Sequence, residues 1–254
     1  KIRELENAAE TISSEIGSGQ MRSPFTSTTI CHDLQPYWYS SDTIETFDAG
    51  KKGRGVRAKV DMHIGQIILI EHPIAFCNQT HMEEKKILLS VQDKTIEDTT
   101  QSLIGETIIY RCQREGLLSN IINNLFDGVN AKPLVSFDEL IPNILSTSPL
   151  LPSHHEYMGK GEKTTLTPIQ VQGVVSKNSH GNRGDVLCGH RYTHLYPATS
   201  MFNHSKDPTC QYLAHEESEK VMIVVISKSV KAGDELTVCY MLDEEKAKAS
   251  WGIE

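Results

Sequence analysis

No stretch of this chain gathers Lys or Arg into the stripe that phosphate binding requires, and 33 acidic against 25 basic residues leave a formal net charge of -8. Direct nucleic-acid binding is thereby disfavoured, because neutralising phosphates supplies much of the affinity of such contacts. No run approaches the roughly 20 apolar residues that span a bilayer, and Lys1-Ile2-Arg3-Glu4-Leu5 has no apolar signal segment. Cysteine is sparse: Cys31, Cys77, Cys112, Cys188, Cys210 and Cys239 are scattered without a Cys-x-x-Cys pair. That excludes a disulfide scaffold and fits a reducing compartment. The expectation is a soluble intracellular protein of the cytoplasm, the nucleus or both, with no membrane partner. Lys1 opens a stretch of helical character without an initiator Met, as in a fragment or a processed chain.

What is present is a 38% hydrophobic content over 254 residues, enough to bury the core of one domain. The acidic surplus suits basic partners such as Lys-rich tails. Ile2, Leu5, Ala8, Ala9, Ile12 and Ile16 recur at helical spacing until Gly17-Ser18-Gly19 ends the pattern, which predicts a short amphipathic helix. A Ser- and Thr-rich stretch with Tyr37, Trp38 and Tyr39 follows and predicts loop with room for one strand. From Phe47 onward Gly50, Gly53 and Gly55 punctuate the chain, and residues 56–60 and 67–70 read as two strands joined around Gly65. The order of strand, Gly turn and strand returns at residues 221–226 and 236–240 around Gly233, and each half reads as a hairpin.

Between them, Ile104, Ile108, Ile109, Cys112, Leu118, Ile121, Ile122 and Leu125 suit two helices over residues 95–126, broken near Gly116. Four prolines, Pro133, Pro142, Pro149 and Pro152, interrupt an irregular segment, and Thr167-Pro168 opens another helix through Val175. The order β, α, β predicts an α+β fold with a helical insertion.

One stretch carries chemistry: Tyr196-Pro197-Ala198-Thr199-Ser200-Met201-Phe202-Asn203-His204-Ser205-Lys206, followed after a strand by Gly233-Asp234-Glu235-Leu236-Thr237-Val238-Cys239-Tyr240. With Gly53-Arg54-Gly55 upstream, this order of motifs resembles the SET domain, and the sequence is most similar to its SMYD-like group. Ile169 to His180 resembles that group's segment ending in Asn-Ser-Phe. The likeness covers roughly Phe47–Phe76 and Ile169–Glu254, without a MYND zinc finger, since Cys77 and Cys112 are the only cysteines between Phe47 and Ile169. It implies residues 1–46 as an N-terminal helix and extension and residues 47–254 as a SET domain, interrupted by a helical insertion at about 81–168. The implied fold is β-rich, with several short sheets and a knot-like site where the Asn-His-Ser segment meets the one ending in Tyr240. The implied activity is transfer of a methyl group from S-adenosyl-L-methionine to a lysine amine of a histone or non-histone protein.

The resemblance implies Tyr240 as the catalytic residue, with its hydroxyl where the amine meets the methyl group. Backbone at Phe202 and His204 would receive the adenine edge, and Ser200 would lie against the donor. S-adenosyl-L-methionine presents an ammonium, a carboxylate, a sulfonium and an adenine, so its pocket needs close backbone approach, amides and a flat apolar wall. Gly53 and Gly55 permit close approach; Asn178 and Asn203 both donate and accept; Lys52 or Arg54 can pair with the carboxylate. Phe202 and Trp251 can supply apolar surface, and the substrate channel is assigned to Trp251 and Tyr196. The acceptor lysine, whose ordinary pKa is about 10.4, must lose its proton by desolvation or along a water path, because no dedicated base is evident.

Each assignment has a plainer counterpart: Tyr240 and Trp251 as core aromatics, Gly53 and Gly55 as an ordinary loop, Lys52 and Arg54 as solvated charges, and His204 as a structural pin. His190 and His194 stand four apart, but Gly189 and Pro197 disfavour the helix that would make them zinc ligands, and His154-His155 reads as an exposed loop. Where SMYD-like proteins continue Asn-His-Ser with a zinc-binding Cys, this chain has Lys206, whose ammonium cannot replace a thiolate. The chain ends where the partner cysteines of that post-SET tail would follow, so no metal site is expected. Cys210 is a poor substitute, four residues along. These departures keep open a catalytically weak binding or scaffold module, and a methyltransferase for a non-lysine acceptor.

Overall fold

The computed structural model describes residues 39–78, 88–90, 95–97, 99–112, 116–129, 132–137, 166–182, 192–214 and 222–240. The helix predicted over residues 1–16, His154-His155, His190 and Trp251 lie outside these residues. In chain order the elements are β1 (Tyr39–Ser40), β2 (Ile44–Asp48), β3 (Arg54–Ala58), β4 (Ile67–Glu71), β5 (Ala75–Asn78), β6 (Leu88–Ser90) and β7 (Thr95–Glu97). Helices α1 (Thr99–Cys112), α2 (Gly116–Asn124) and α3 (Pro168–Asn178) follow. The remaining strands are β8 (Ser179–Asn182), β9 (Tyr192–Leu195), β10 (Asn203–His204), β11 (Cys210–Ala214), β12 (Met222–Ile226) and β13 (Glu235–Val238). Two compact units divide them, the first from segments of Lys1–His72, Leu134–Phe137 and Met201–Glu254, the second from segments of Pro73–Pro133 and Asp138–Ser200.

The first unit holds two four-stranded sheets, ordered β1-β4-β12-β11 and β10-β13-β3-β2. The stretch before Phe47 thus contributes two strands where room for one was expected, and buried Ile44 anchors the second. In β4 the successive residues Ile68, Leu69 and Ile70 are all buried, so both faces of that strand are covered. Neither Gly-turn unit closes as the expected hairpin: β3 pairs with β2 and β13, whereas β4 pairs with β1 and β12. Each unit crosses from one sheet to the other, and the two run antiparallel along each other through the bridge Met62 to Val230. The turns explain the crossing. Gly65 and Gly233 have φ of 88° and 92°, values that side chains resist. The Gly65 N–H donates to Ile226 O at 2.8 Å, and the Gly233 N–H donates to Ala58 O at 2.7 Å. Both glycines stand equally far in sequence beyond the strand end that receives the other, so the resemblance between the halves reflects a near two-fold pairing.

The second unit combines the sheet β5-β9-β8 and the hairpin β6-β7 with the three helices. The helical region predicted from Thr95 begins later, because Thr95–Glu97 pairs with Leu88–Ser90 as a strand. The two helices expected on either side of a break near Gly116 are α1 and α2, with Gly116 opening the second. Helix α3 starts as expected: the Thr167 side chain accepts from Gln170 N, the Gln170 side chain accepts from Thr167 N at 2.9 Å, and Pro168 fills the first turn. It runs past Val175 to Asn178, and Ser179–Asn182 forms strand β8. Ile104, Ile108, Val171, Val174 and Val175 are buried where α1 meets α3. A Cβ on Gly173 would lie 2.3 Å from Asp127 O, so the close approach of α3 to that loop requires glycine.

Leu69 is fully buried in β4. Leu69→Ala is expected to lower unfolding free energy by about 2–5 kcal/mol, measured by urea denaturation, through lost transfer energy and a residual cavity.

Candidate functional site

The two-residue strand β10 lies parallel to β13, Asn203 opposite Thr237 and His204 opposite Val238. Two residues cannot hold a strand alone, and side chains supply the rest. The Tyr240 N–H donates to His204 Nδ1 at 3.0 Å, which places the ring proton on Nε2. The Tyr240 hydroxyl donates to Phe202 O at 2.6 Å, and the Ser205 N–H donates to Val238 O at 2.9 Å. His204 and Tyr240 rings lie 5.4 Å apart. His204 is therefore a pin between the two segments.

Burial holds the Tyr240 phenol well above the ordinary tyrosine range, and the neighbouring Tyr212 and Glu235 charges add to the shift. The group stays neutral. Its hydrogen is committed to a carbonyl, so its oxygen lone pairs are what it offers to a cationic or electron-poor atom. Tyr212, in β11, donates its hydroxyl to Cys239 O at 3.0 Å and fixes the residue before Tyr240. Thr209 and Thr237 clamp the adjoining backbone: the Thr237 N–H donates to Thr209 Oγ1 at 2.9 Å and the Thr209 N–H to Thr237 Oγ1 at 3.3 Å.

On the other side of Asn203 lies the glycine loop. Its two glycines serve different needs. Gly53 has φ 79° and ψ -123°, a conformation essentially reserved to glycine. Gly55 has no space for a side chain, since a Cβ would lie 2.9 Å from Asn203 Nδ2 and 3.1 Å from Glu235 Oε1. Asn203 Nδ2 donates to Arg54 O at 2.9 Å and to Glu235 Oε1 at 2.9 Å. Glu235 Oε2 in turn accepts from Lys52 Nζ at 2.8 Å. Burial lowers the Arg54 pKa.

Lys52, Gly53, Arg54, Gly55, Phe202, Asn203, His204 and Tyr240 thus come together in the first unit. Two of these assignments change. The Phe202 side chain is fully buried in the core and forms no open apolar wall, and the Lys52 ammonium expected to meet a ligand carboxylate is engaged by Glu235. Asn178, Ser200 and Tyr196 come together in the second unit, where the Ser200 hydroxyl donates to Tyr196 O at 2.7 Å and Asn178 O at 3.1 Å. Both amide protons of buried Asn178 are taken by Phe126 O at 2.6 Å and Val174 O at 2.8 Å, so only its Oδ1 remains to meet a ligand. Tyr196 is 1% exposed, packed against His180 and His194 at 5.7 and 5.6 Å, and this enclosure argues against a channel-lining role. Trp251 lies outside the described residues. Glu235 and Tyr212 were missed by sequence reasoning; Glu235 sits inside the quoted Gly-Asp-Glu-Leu motif, and Tyr212 shows no signal beyond its position in an unpredicted strand.

Among the described residues no group of three His, Cys, Asp or Glu is placed to hold a metal ion. Cys210 is fully buried in β11, and desolvation pushes its thiol up to about 12, partly offset by Thr209. Asp207 and Lys228 form an ion pair beside Lys206. Among the described residues no helix is long and apolar enough to cross a membrane.

Residues 53–241 match the SET domain family. The chain therefore belongs to that family, whose members are generally lysine methyltransferases. No curated protein matches the chain. Among solved structures, the crystal structure of the SET domain of LSMT bound to lysine and AdoHcy is similar at 13% identity and a TM-score of 0.45. That match covers 98% of this chain and 57% of the LSMT chain.

Two measurements probe this region. In a spectrophotometric titration, the difference between wild type and Tyr240→Phe is expected to show no phenolate signal near pH 10, the ordinary range. A raised folded pKa contributes stability that is full below the unfolded value and falls as pH rises above it, so alkaline unfolding should begin there. Cys210 is expected to resist iodoacetamide at pH 8 in the folded protein, and to react only after denaturant is added, as read by peptide mass spectrometry.

Proposed function

We propose that the chain is an S-adenosyl-L-methionine-dependent protein-lysine N-methyltransferase of the SMYD-like kind without a MYND finger, spanning residues 47–254 with a helical insertion at about 81–168. The observation that carries this reading is the neutral Tyr240 hydroxyl donating to Phe202 O beside the strand of Asn203 and His204. Such an oxygen stabilises polarised methyl and amine hydrogens without competing as a base. Catalysis would then rest on alignment of nitrogen, methyl carbon and sulfur for in-line displacement, for which orientation supplies much of the rate. The acceptor lysine reacts as the neutral amine, desolvation lowering its pKa and water carrying the proton to solvent. S-adenosyl-L-methionine, when bound, supplies the activated methyl group. Asn203 Oδ1, the loop of Gly53, Arg54 and Gly55, and the backbone of Phe202 and His204 are the proposed donor contacts of the first unit. Trp251 is the proposed channel residue, and the substrate is a lysine-bearing histone or non-histone protein met inside the cell.

A second reading, a binding module with weak catalysis, is favoured by Lys206 and by the inert Cys210 thiol. Calorimetric titration with S-adenosyl-L-methionine is expected to show binding, and absence of binding by folded protein defeats the enzyme reading. Radiolabel is then expected to pass to a protein or peptide library, with at least about tenfold loss in Tyr240→Phe. Binding without transfer selects the module.

A further inference from the structure

Asn203 is held in one orientation by a neighbour that the expected contacts leave out. A primary amide has two faces, and the one turned to a ligand depends on what takes its hydrogens. Here both hydrogens are taken inside the protein, by Arg54 O and Glu235 Oε1, each at 2.9 Å. Among the described residues Oδ1 has no partner. Arg54 O alone would satisfy one hydrogen and leave the other unpaired.

The second bond comes from a carboxylate. Glu235 is itself fixed from three sides: its Oε2 meets Lys52 Nζ at 2.8 Å, its Oε1 meets Asn203, and the missing side chain of Gly55 leaves the space it occupies. Its side chain is 23% exposed, so water screens it only in part. A charged acceptor forms a stronger bond than a neutral one, which favours this rotation of Asn203 over the flipped one.

We propose that Glu235 is a positioning residue of the donor site. It sets the Asn203 amide so that Oδ1, an acceptor, faces the ligand, where the ammonium of S-adenosyl-L-methionine is the complementary group. The proposal rests on the methyl-donor reading given above. Lys52 neutralises Glu235 and keeps it from acting as a free charge in the site. Its role is secondary to that of the carboxylate.

The test uses the full chain and three variants, Glu235→Ala, Glu235→Gln and Lys52→Ala. Glutamine keeps an acceptor for Asn203 but loses the ion pair, whereas Lys52→Ala loses only the ion pair. Calorimetry with S-adenosyl-L-methionine is expected to show about tenfold weaker binding in Glu235→Ala, with most of the loss recovered in Glu235→Gln and a smaller loss in Lys52→Ala. In turnover assays the KM for the donor rises while kcat at saturating donor falls far less, a split that general loosening of the fold does not produce. Equal loss in Glu235→Ala and Glu235→Gln, or parallel collapse of kcat and melting temperature, overturns the proposal. If the wild type binds no donor, the methyl-donor reading fails by itself, and the Asn203 side-chain amide resonances decide the orientation. Signals shifted and faster-exchanging in Glu235→Ala but kept in Glu235→Gln support it, and signals unmoved in Glu235→Ala overturn it.

Discussion

Everything proposed for this chain depends on a strand too short to stand alone. Asn203 and His204 make a parallel pairing with Thr237 and Val238, and parallel pairing over two residues contributes few backbone bonds. The strand persists because side chains on both sides fasten it. His204 takes the Tyr240 N–H, Tyr240 returns its hydroxyl to Phe202, and Asn203 reaches Arg54 and Glu235. The residues that hold the site together and those offered to a ligand are therefore largely the same. A change at any of them acts on geometry as well as on contact.

The same economy appears in the electrostatics. Tyr240 is kept neutral chiefly by burial, while the Glu235 carboxylate pairs with Lys52 and accepts from Asn203. A phenol and a carboxylate in one site thus play different parts because their surroundings differ. Near Lys206 the backbone is fastened by the exchange between Thr209 and Thr237.

Much of this was legible in the sequence where local chemistry decides structure. The Thr167-Pro168 start of α3, the apolar runs of β3, β4, β12 and β13, and the motif order that marks the SET fold all rest on neighbouring residues. Pairing partners were not legible. Two strand units that each turn at glycine look like hairpins, yet their partners lie in the opposite half, because only the three-dimensional arrangement says which edges meet. Tyr196 and Phe202 illustrate a second limit: an aromatic beside a motif reads equally as wall or as core, and burial decides for core. Glu235 was invisible for a third reason, since its partners Asn203 and Lys52 are distant in sequence.

The pairing of the two Gly-turn units has a consequence for assembly of the chain. Arg54 and Asn203, bonded in the finished site, are 149 positions apart, and β3 and β4 find their central partners only in β13 and β12. Contacts of such long range must close a large loop before they return any energy, so they form slowly and late. The candidate site therefore closes only when residues beyond Met222 are available to pair with β3 and β4.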